Sequence, residues 1–161
     1  MRRAPVEELE VGEDDLDRAV GALARVAGDG GWVNCSPVVA DEDRPPPPGP
    51  FAVFGALGPA VPLATYVPAH AGRGGAPQQG EAGIQHGSGR RAALRLRQSG
   101  PGIPDGWRVV QDHPRRGLVV RLPEGTADGD VLRWLVSAAG ALCTVPTTGR
   151  WRVTLHVPAR R

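Results

Sequence analysis

The chain has 161 residues and a formal net charge of +2. This length suits one domain whose core needs neither a disulfide framework nor a structural metal. No apolar run reaches the ~18 residues that cross a bilayer, so we expect no membrane-spanning helix and no membrane partner. The sequence opens without a signal-peptide pattern, and we therefore expect a cytoplasmic protein.

Charge is divided unequally along the chain. Residues 1–70 contain five Arg and eleven acidic residues, a net charge of −6, whereas residues 71–161 contain fourteen Arg and six acidic residues, a net charge of +8. All 19 basic residues are Arg, which stays protonated and can hold a carboxylate or phosphate with two parallel hydrogen bonds. This asymmetry favours either an anionic partner for the basic half or complementarity between the two halves.

The first part of the chain predicts an acidic arm, a helix and a strand. Residues 1–13 lack a core pattern, so we expect an acidic arm there. From Asp14 the pattern becomes helical, because apolar residues recur on one helix face: Leu16, Val20, Leu23 and Ala27. Glycines end this helix, and residues 32–35 are typical of a short strand.

Two segments rich in Pro and Gly predict flexible loops. Residues 41–50 contain four consecutive prolines, which favour a stiff spacer, and residues 68–82 have little to bury. Between them, residues 51–54 and 61–67 predict a hairpin. Pro62 indicates that the second strand of this hairpin lies at a sheet edge.

The second half of the chain gives a clearer pattern. Residues 92–97 end in apolar–Arg alternation, which favours a strand, with a helical turn as the alternative. Residues 107–110 and 118–122 predict a hairpin closed by a turn at 113–117. A helix is expected from Thr126 or Asp128, with a buried stripe of Val131, Leu135, Ala138 and Leu142. A final strand follows at 151–157.

Together these elements predict an α+β fold. We expect residues 1–161 to form a single domain, with a mainly antiparallel sheet of five to seven strands and two helices packed on it.

A glycine–arginine run at the start of the basic half is the candidate ligand site. It comprises His86, Gly87, Ser88, Gly89, Arg90 and Arg91, shortly after Gly83. Glycines permit positive φ, so backbone N–H groups can converge on an anion while the side chains add donors. The run lacks the residue order and the Lys of a P-loop. It also lacks the flanking strand and helix, with a later acidic residue, that define a dinucleotide-binding fingerprint. A flexible lead into the next element is the alternative interpretation.

Other kinds of site are weakly encoded. The four His residues are widely spaced, and Cys35 and Cys143 form no metal-binding pattern, so we predict no metal, no cofactor and two reduced thiols. Seven aromatic residues and the absence of a known motif disfavour nucleic-acid binding. We assign no catalytic residue, although His86 and Ser88 place a base and a hydroxyl close together in sequence.

Three functional hypotheses follow. The leading one is a non-enzymatic binder of an anionic small molecule or an acidic protein surface through residues 86–91. The second is a homo-oligomeric scaffold in which the acidic half of one copy meets the basic half of the next. The third is an enzyme that uses His86 and Ser88.

Overall fold

A computed structural model describes residues 7–47, 49–50 and 55–158 of the chain. The strands are β1 (Glu7–Gly12), β2 (Trp32–Pro37), β3 (Leu63–Val67), β4 (His70–Ala71), β5 (Pro77–Gln78), β6 (Glu81–Gln85), β7 (Arg108–His113), β8 (Gly117–Arg121) and β9 (Arg150–His156). The helices are α1 (Leu16–Ala27), α2 (Ala92–Ser99) and α3 (Asp128–Leu142).

Seven strands form one antiparallel sheet in the order β1-β9-β2-β3-β6-β8-β7, and β4 pairs with β5 in a separate hairpin. The predicted α+β fold with five to seven antiparallel strands is confirmed, although the described residues contain three α-helices rather than two. The predicted elements that became α1, β2, the β7–β8 hairpin, α3 and β9 are also confirmed.

The two faces of the sheet differ. Side chains alternate along each strand, so Val33 and Cys35 of β2 and Ala64 and Tyr66 of β3 are buried beneath the helices. The helices α1 and α2 both contact α3, and all three contact the sheet. The buried apolar side chains form one continuous core, so the described residues make one domain. The residues between the buried ones point to the opposite face, which no described helix covers.

The predicted acidic arm at 1–13 is wrong for residues 7–12, which form the edge strand β1. Leu9 and Val11 point toward the core, whereas Glu8 and Glu10 point outward and pair with Arg152 and Arg150 of β9 at 3.5 and 3.0 Å. Alternation over so few residues is a weak sequence signal, and its partner strand lies at the other end of the chain.

The strand β3 is central and not an edge strand, which corrects the prediction drawn from Pro62. β2 and β6 pair with its two sides. Pro62 precedes the first strand residue, so its missing N–H interrupts no ladder hydrogen bond. The partner predicted for this strand, residues 51–54, lies outside the described residues.

Residues 92–97 form the helix α2, so the predicted strand is wrong and the alternative helical turn is correct. Ala92 and Leu96, four positions apart, are fully buried against the core, which is helical and not strand spacing. The sequence alternates over only a few positions, and tertiary packing decided between two permitted conformations.

The predicted loop at 68–82 is more structured than expected. Residues 70–78 form the β4–β5 hairpin, and β6 starts at Glu81. In the other predicted loop, residues 41–43 form a 3-10 turn. Flexibility of either segment stays a prediction.

Candidate functional site

The predicted glycine–arginine run lies at one end of the sheet. It leaves the last residue of β6, Gln85, and ends where α2 begins at Ala92. The turn between β7 and β8 lies at the same end, because Gly117 approaches the backbone of Ile84 and Gln85. We call this region, residues 86–91 together with residues 114–116, the basic end.

Two side chains of the basic end and Arg95 of α2 form one hydrogen-bonded network. His86 Nδ1 and Ser88 Oγ are joined by a hydrogen bond of 2.9 Å, and Arg95 of α2 donates to Ser88 Oγ at 2.7 Å. Arg95 also donates to the carbonyl oxygens of Ser88 and Gly89. Because a guanidinium bonds both the side chain and the backbone of this loop, the loop has one defined path into α2.

His86 is the structural centre of this network. Its side chain is fully buried, and no partner for Nε2 lies in the described part of the chain. Burial lowers the pKa of His86, and the nearby Arg95 guanidinium lowers it further against a smaller opposite effect of Asp112. Both effects favour the neutral form of the imidazole over the charged form.

Backbone packing fixes the start of the same loop. A Cβ on Gly87 would lie 2.8 and 2.9 Å from the carbonyl oxygens of Gly58 and Pro59, and a Cβ on Gly58 would collide with the carbonyl oxygen of His86. The two segments therefore pack backbone against backbone, and Gly58 in turn donates to the carbonyl of Pro114 at 3.0 Å.

The helix N-terminus next to the loop already holds an anionic group. The Asp112 carboxylate of β7 accepts hydrogen bonds from the backbone N–H groups of Ala92 and Ala93 at 3.1 and 3.0 Å. These amides are therefore not directed at an external anion. The three glycines of the candidate ligand site, Gly83, Gly87 and Gly89, also differ in conformation. Only Gly89 has positive φ, and Gly83 is a strand residue.

Arg91 has an unusual backbone conformation. It is the N-cap of α2 with φ of 57° and ψ of 46°, the left-handed region that a residue with a Cβ rarely adopts. Its side chain is exposed, so nothing in the core requires Arg at this position. The conformation directs the chain sharply from the loop into the helix.

The basic end carries guanidinium groups without acidic partners. Elsewhere in the described residues, Arg97 and Arg108 likewise have no carboxylate within ion-pair distance, whereas seven arginines do: Arg18, Arg25, Arg44, Arg121, Arg133, Arg150 and Arg152. Arg90, Arg91 and Arg116 have no such carboxylate among the described residues. Arg90 and Arg91 are exposed, so their charges face solvent.

The adjacent Asp112 and His113 both bind backbone groups. Asp112 binds α2, and His113 Nδ1 accepts hydrogen bonds from the N–H groups of Arg115 and Arg116 at 3.1 and 3.2 Å. His113 thereby fixes the turn that presents Arg116.

The geometry does not favour catalysis by the predicted pair. His86 and Ser88 do converge, but His86 has no exposed surface, and Arg95 already donates to the Ser88 hydroxyl. His86 is within hydrogen-bond reach of the Ser88 proton, but burial and the Arg95 guanidinium lower the pKa of His86 and so make it a weaker base.

A second concavity, which sequence reasoning missed, lies at the opposite end of the sheet. Tyr66 donates to Asp128 Oδ1 at 2.6 Å, beside a cavity of about 280 Å³. Burial, and then the Asp128 carboxylate, raise the pKa of Tyr66. The two residues are 62 positions apart, so no local motif could reveal the pair.

No protein-family model, curated protein or solved structure matches the chain. The described residues contain no group of His, Cys, Asp and Glu that could hold a metal ion, and no helix in that part of the chain is long and apolar enough to cross a membrane. Both cysteines are free thiols, with Cys35 buried.

Proposed function

We propose that the protein binds an anionic small molecule at its basic end without transforming it. The gathering of unpaired arginines at one end of the sheet carries this proposal: Arg90, Arg91 and Arg116 lack carboxylate partners in the described residues, whereas most arginines elsewhere in that part of the chain have one. An unpaired guanidinium offers an oxyanion a charge-assisted, two-pronged hydrogen bond.

The loop geometry supports the same proposal. Arg95, Ser88 and His86 hold the loop in one conformation, and His113 holds the turn that carries Arg116. A ligand that meets a preformed loop loses less free energy to ordering it. The guanidinium groups provide the ligand contacts, because Asp112 already occupies the α2 amides.

The internal ion pairs account for part of the charge split that suggested a scaffold. Glu8 and Glu10 of the acidic half pair with Arg152 and Arg150 of the basic half at 3.5 and 3.0 Å. These acidic side chains have partners within one copy of the chain. A small ligand for the unpaired arginines therefore explains more of the structure than a head-to-tail assembly does.

A thermal-shift screen tests this proposal. The panel would contain inorganic phosphate, pyrophosphate, nucleotides, phosphosugars and acyl-CoA compounds, since a ligand that binds only the native state raises Tm. We expect at least one anion to raise Tm, with an effect that weakens as NaCl increases. The shift should disappear in Arg90→Gln/Arg91→Gln/Arg116→Gln and persist in Arg108→Gln, an exposed arginine at the far end of β7. The proposal is contradicted if no anion of the panel raises Tm. It is also contradicted if an anion raises the Tm of the triple variant as much as that of the wild type.

A further inference from the structure

A groove runs along β6 on the helix-free face of the sheet and ends beside Arg116. Its volume is about 190 Å³, and Gly83 of β6 forms its floor between Thr65 of β3 and Val119 of β8. Because Gly83 has no side chain, the row of side chains across the sheet has a gap at this position. Leu63 and Val67 of β3 extend the apolar wall on either side of Thr65.

Neither crowding nor backbone conformation requires glycine at this position. A Cβ on Gly83 would lie 3.5 Å from the carbonyl oxygen of Leu118 and 3.5 Å from Val119 Cγ2, which are ordinary van der Waals contacts. Its φ is not positive. Glycine inside a strand weakens the sheet, and it often marks a place where a ligand approaches the backbone closely.

The two ends of the groove differ in charge. At one end Glu81 pairs with Arg121 at 3.5 Å, so these charges are mutually compensated. At the other end lie Gln85 and Arg116, and Arg116 has no carboxylate partner in the described residues. The groove is thus apolar along its side and cationic at one end.

We propose that this groove binds the alkyl chain of an unbranched medium-chain carboxylate, whose head group lies at Arg116. This inference rests on the proposed function, because it names the ligand class of the basic end. The five residues of β6 span roughly 13 Å. An extended alkyl chain advances roughly 1.3 Å per C–C bond, because its bonds of roughly 1.5 Å zigzag, so a chain of roughly ten or eleven carbons has that length.

Calorimetric titrations of the full chain with decanoate, acetate and pyrophosphate test the inference. We expect decanoate to bind at least tenfold more tightly than acetate, because its methylene groups are buried on binding. Gly83→Val should abolish this advantage by filling the groove while remaining folded, since β-branched residues suit strands. Arg116→Gln should weaken decanoate binding at least fivefold, an estimate based on the loss of one charge-assisted contact.

A matched control separates groove filling from the loss of a glycine. Gly21 lies on the exposed side of α1, where an added Cβ would have nothing within 4 Å, so Gly21→Ala should bind decanoate like wild type. Gly83→Ala should lose part of the tighter binding of decanoate over acetate, and less of it than Gly83→Val.

The outcomes distinguish this inference from the proposed function. If pyrophosphate binds and decanoate binds no better than acetate, the groove inference is overturned while the proposed function stands. Tighter decanoate binding that Gly83→Val leaves unchanged places the alkyl chain elsewhere and also overturns it. If none of the three anions binds, the proposed function fails for these anions, and the groove inference fails with it.

Discussion

The Asp112 carboxylate, on an edge strand, accepts a hydrogen bond from the backbone N–H of Ala92 at 3.1 Å and so caps the helix α2 from outside its own sequence. A second bond to the N–H of Ala93 completes the cap. The start of α2 therefore depends on a side chain 20 residues away, and the loop that carries Arg90 and Arg91 ends at this cap.

Removing this cap should destabilise the protein. We expect Asp112→Ala to lower the free energy of unfolding by about 1–2 kcal/mol, because two helix amides lose their acceptor and their favourable charge. Asp112→Asn retains one acceptor oxygen and should cost less. Urea denaturation followed by circular dichroism measures both variants. If Asp112→Ala has the same free energy of unfolding as the wild type, the cap contributes nothing to stability.

The lowered pKa of His86 predicts that stability depends on pH. The imidazole has an ordinary pKa of 6.5 in the unfolded chain and a lower one when folded, so below pH 6.5 the unfolded state binds more protons. Stability from this group is therefore complete above pH 6.5 and is lost as pH falls toward the folded pKa, at up to roughly 1.4 kcal/mol per pH unit. Urea titrations between pH 8 and 5 should show a shallower decline for His86→Gln than for wild type. If the free energy of unfolding falls equally with pH in wild type and in His86→Gln, His86 is not the group responsible.

The left-handed conformation of Arg91 predicts an unusual response to glycine. Arg91→Gly should raise the free energy of unfolding by about 0.5–1 kcal/mol, because relief of left-handed strain of about 1–2 kcal/mol exceeds the entropy cost of glycine. Arg90, whose φ is not positive, is the matched control, and Arg90→Gly should not stabilise. Both variants lose a guanidinium and should bind anions more weakly. Stabilisation by both, or by neither, would contradict the strain argument.

The two cysteines should differ in reactivity. Burial raises the pKa of Cys35 to about 12, so almost no thiolate forms near neutral pH. Cys143 is partly exposed. In the folded protein, Ellman's reagent should label about one thiol per chain quickly, and the second thiol only after denaturant is added. Cys143→Ser should remove the fast equivalent, and fast labelling in that variant would show that Cys35 is accessible.

Local patterns predicted the elements with long, regular periodicity. The helices α1 and α3 have an apolar stripe over several turns, and the β7–β8 hairpin contains its own turn residues. By contrast, β1 and α2 depend on partners far away in sequence: β1 pairs with β9, and α2 takes its cap from Asp112. Such short segments permit two conformations until tertiary contacts choose one.

That residues 86–91 bind a ligand stays a prediction, and their sequence did not reveal how this loop is organised. The composition of residues 86–91 indicated donors for an anion, and the structure does bring His86 and Ser88 together. That Arg95 holds the loop, that His86 is fully buried and that Asp112 occupies the helix amides all follow from packing between elements. No spacing rule within one segment contains that information.

The most direct test of anion binding at the basic end is an NMR titration of the ¹⁵N-labelled chain with pyrophosphate. If the basic end binds anions, saturable shifts should be concentrated at the backbone amides of Arg90, Arg91 and Arg116, and they should be lost in Arg90→Gln/Arg91→Gln/Arg116→Gln. Shifts concentrated at the opposite end, around Tyr66 and Asp128, or small shifts spread evenly over the sequence, would contradict it.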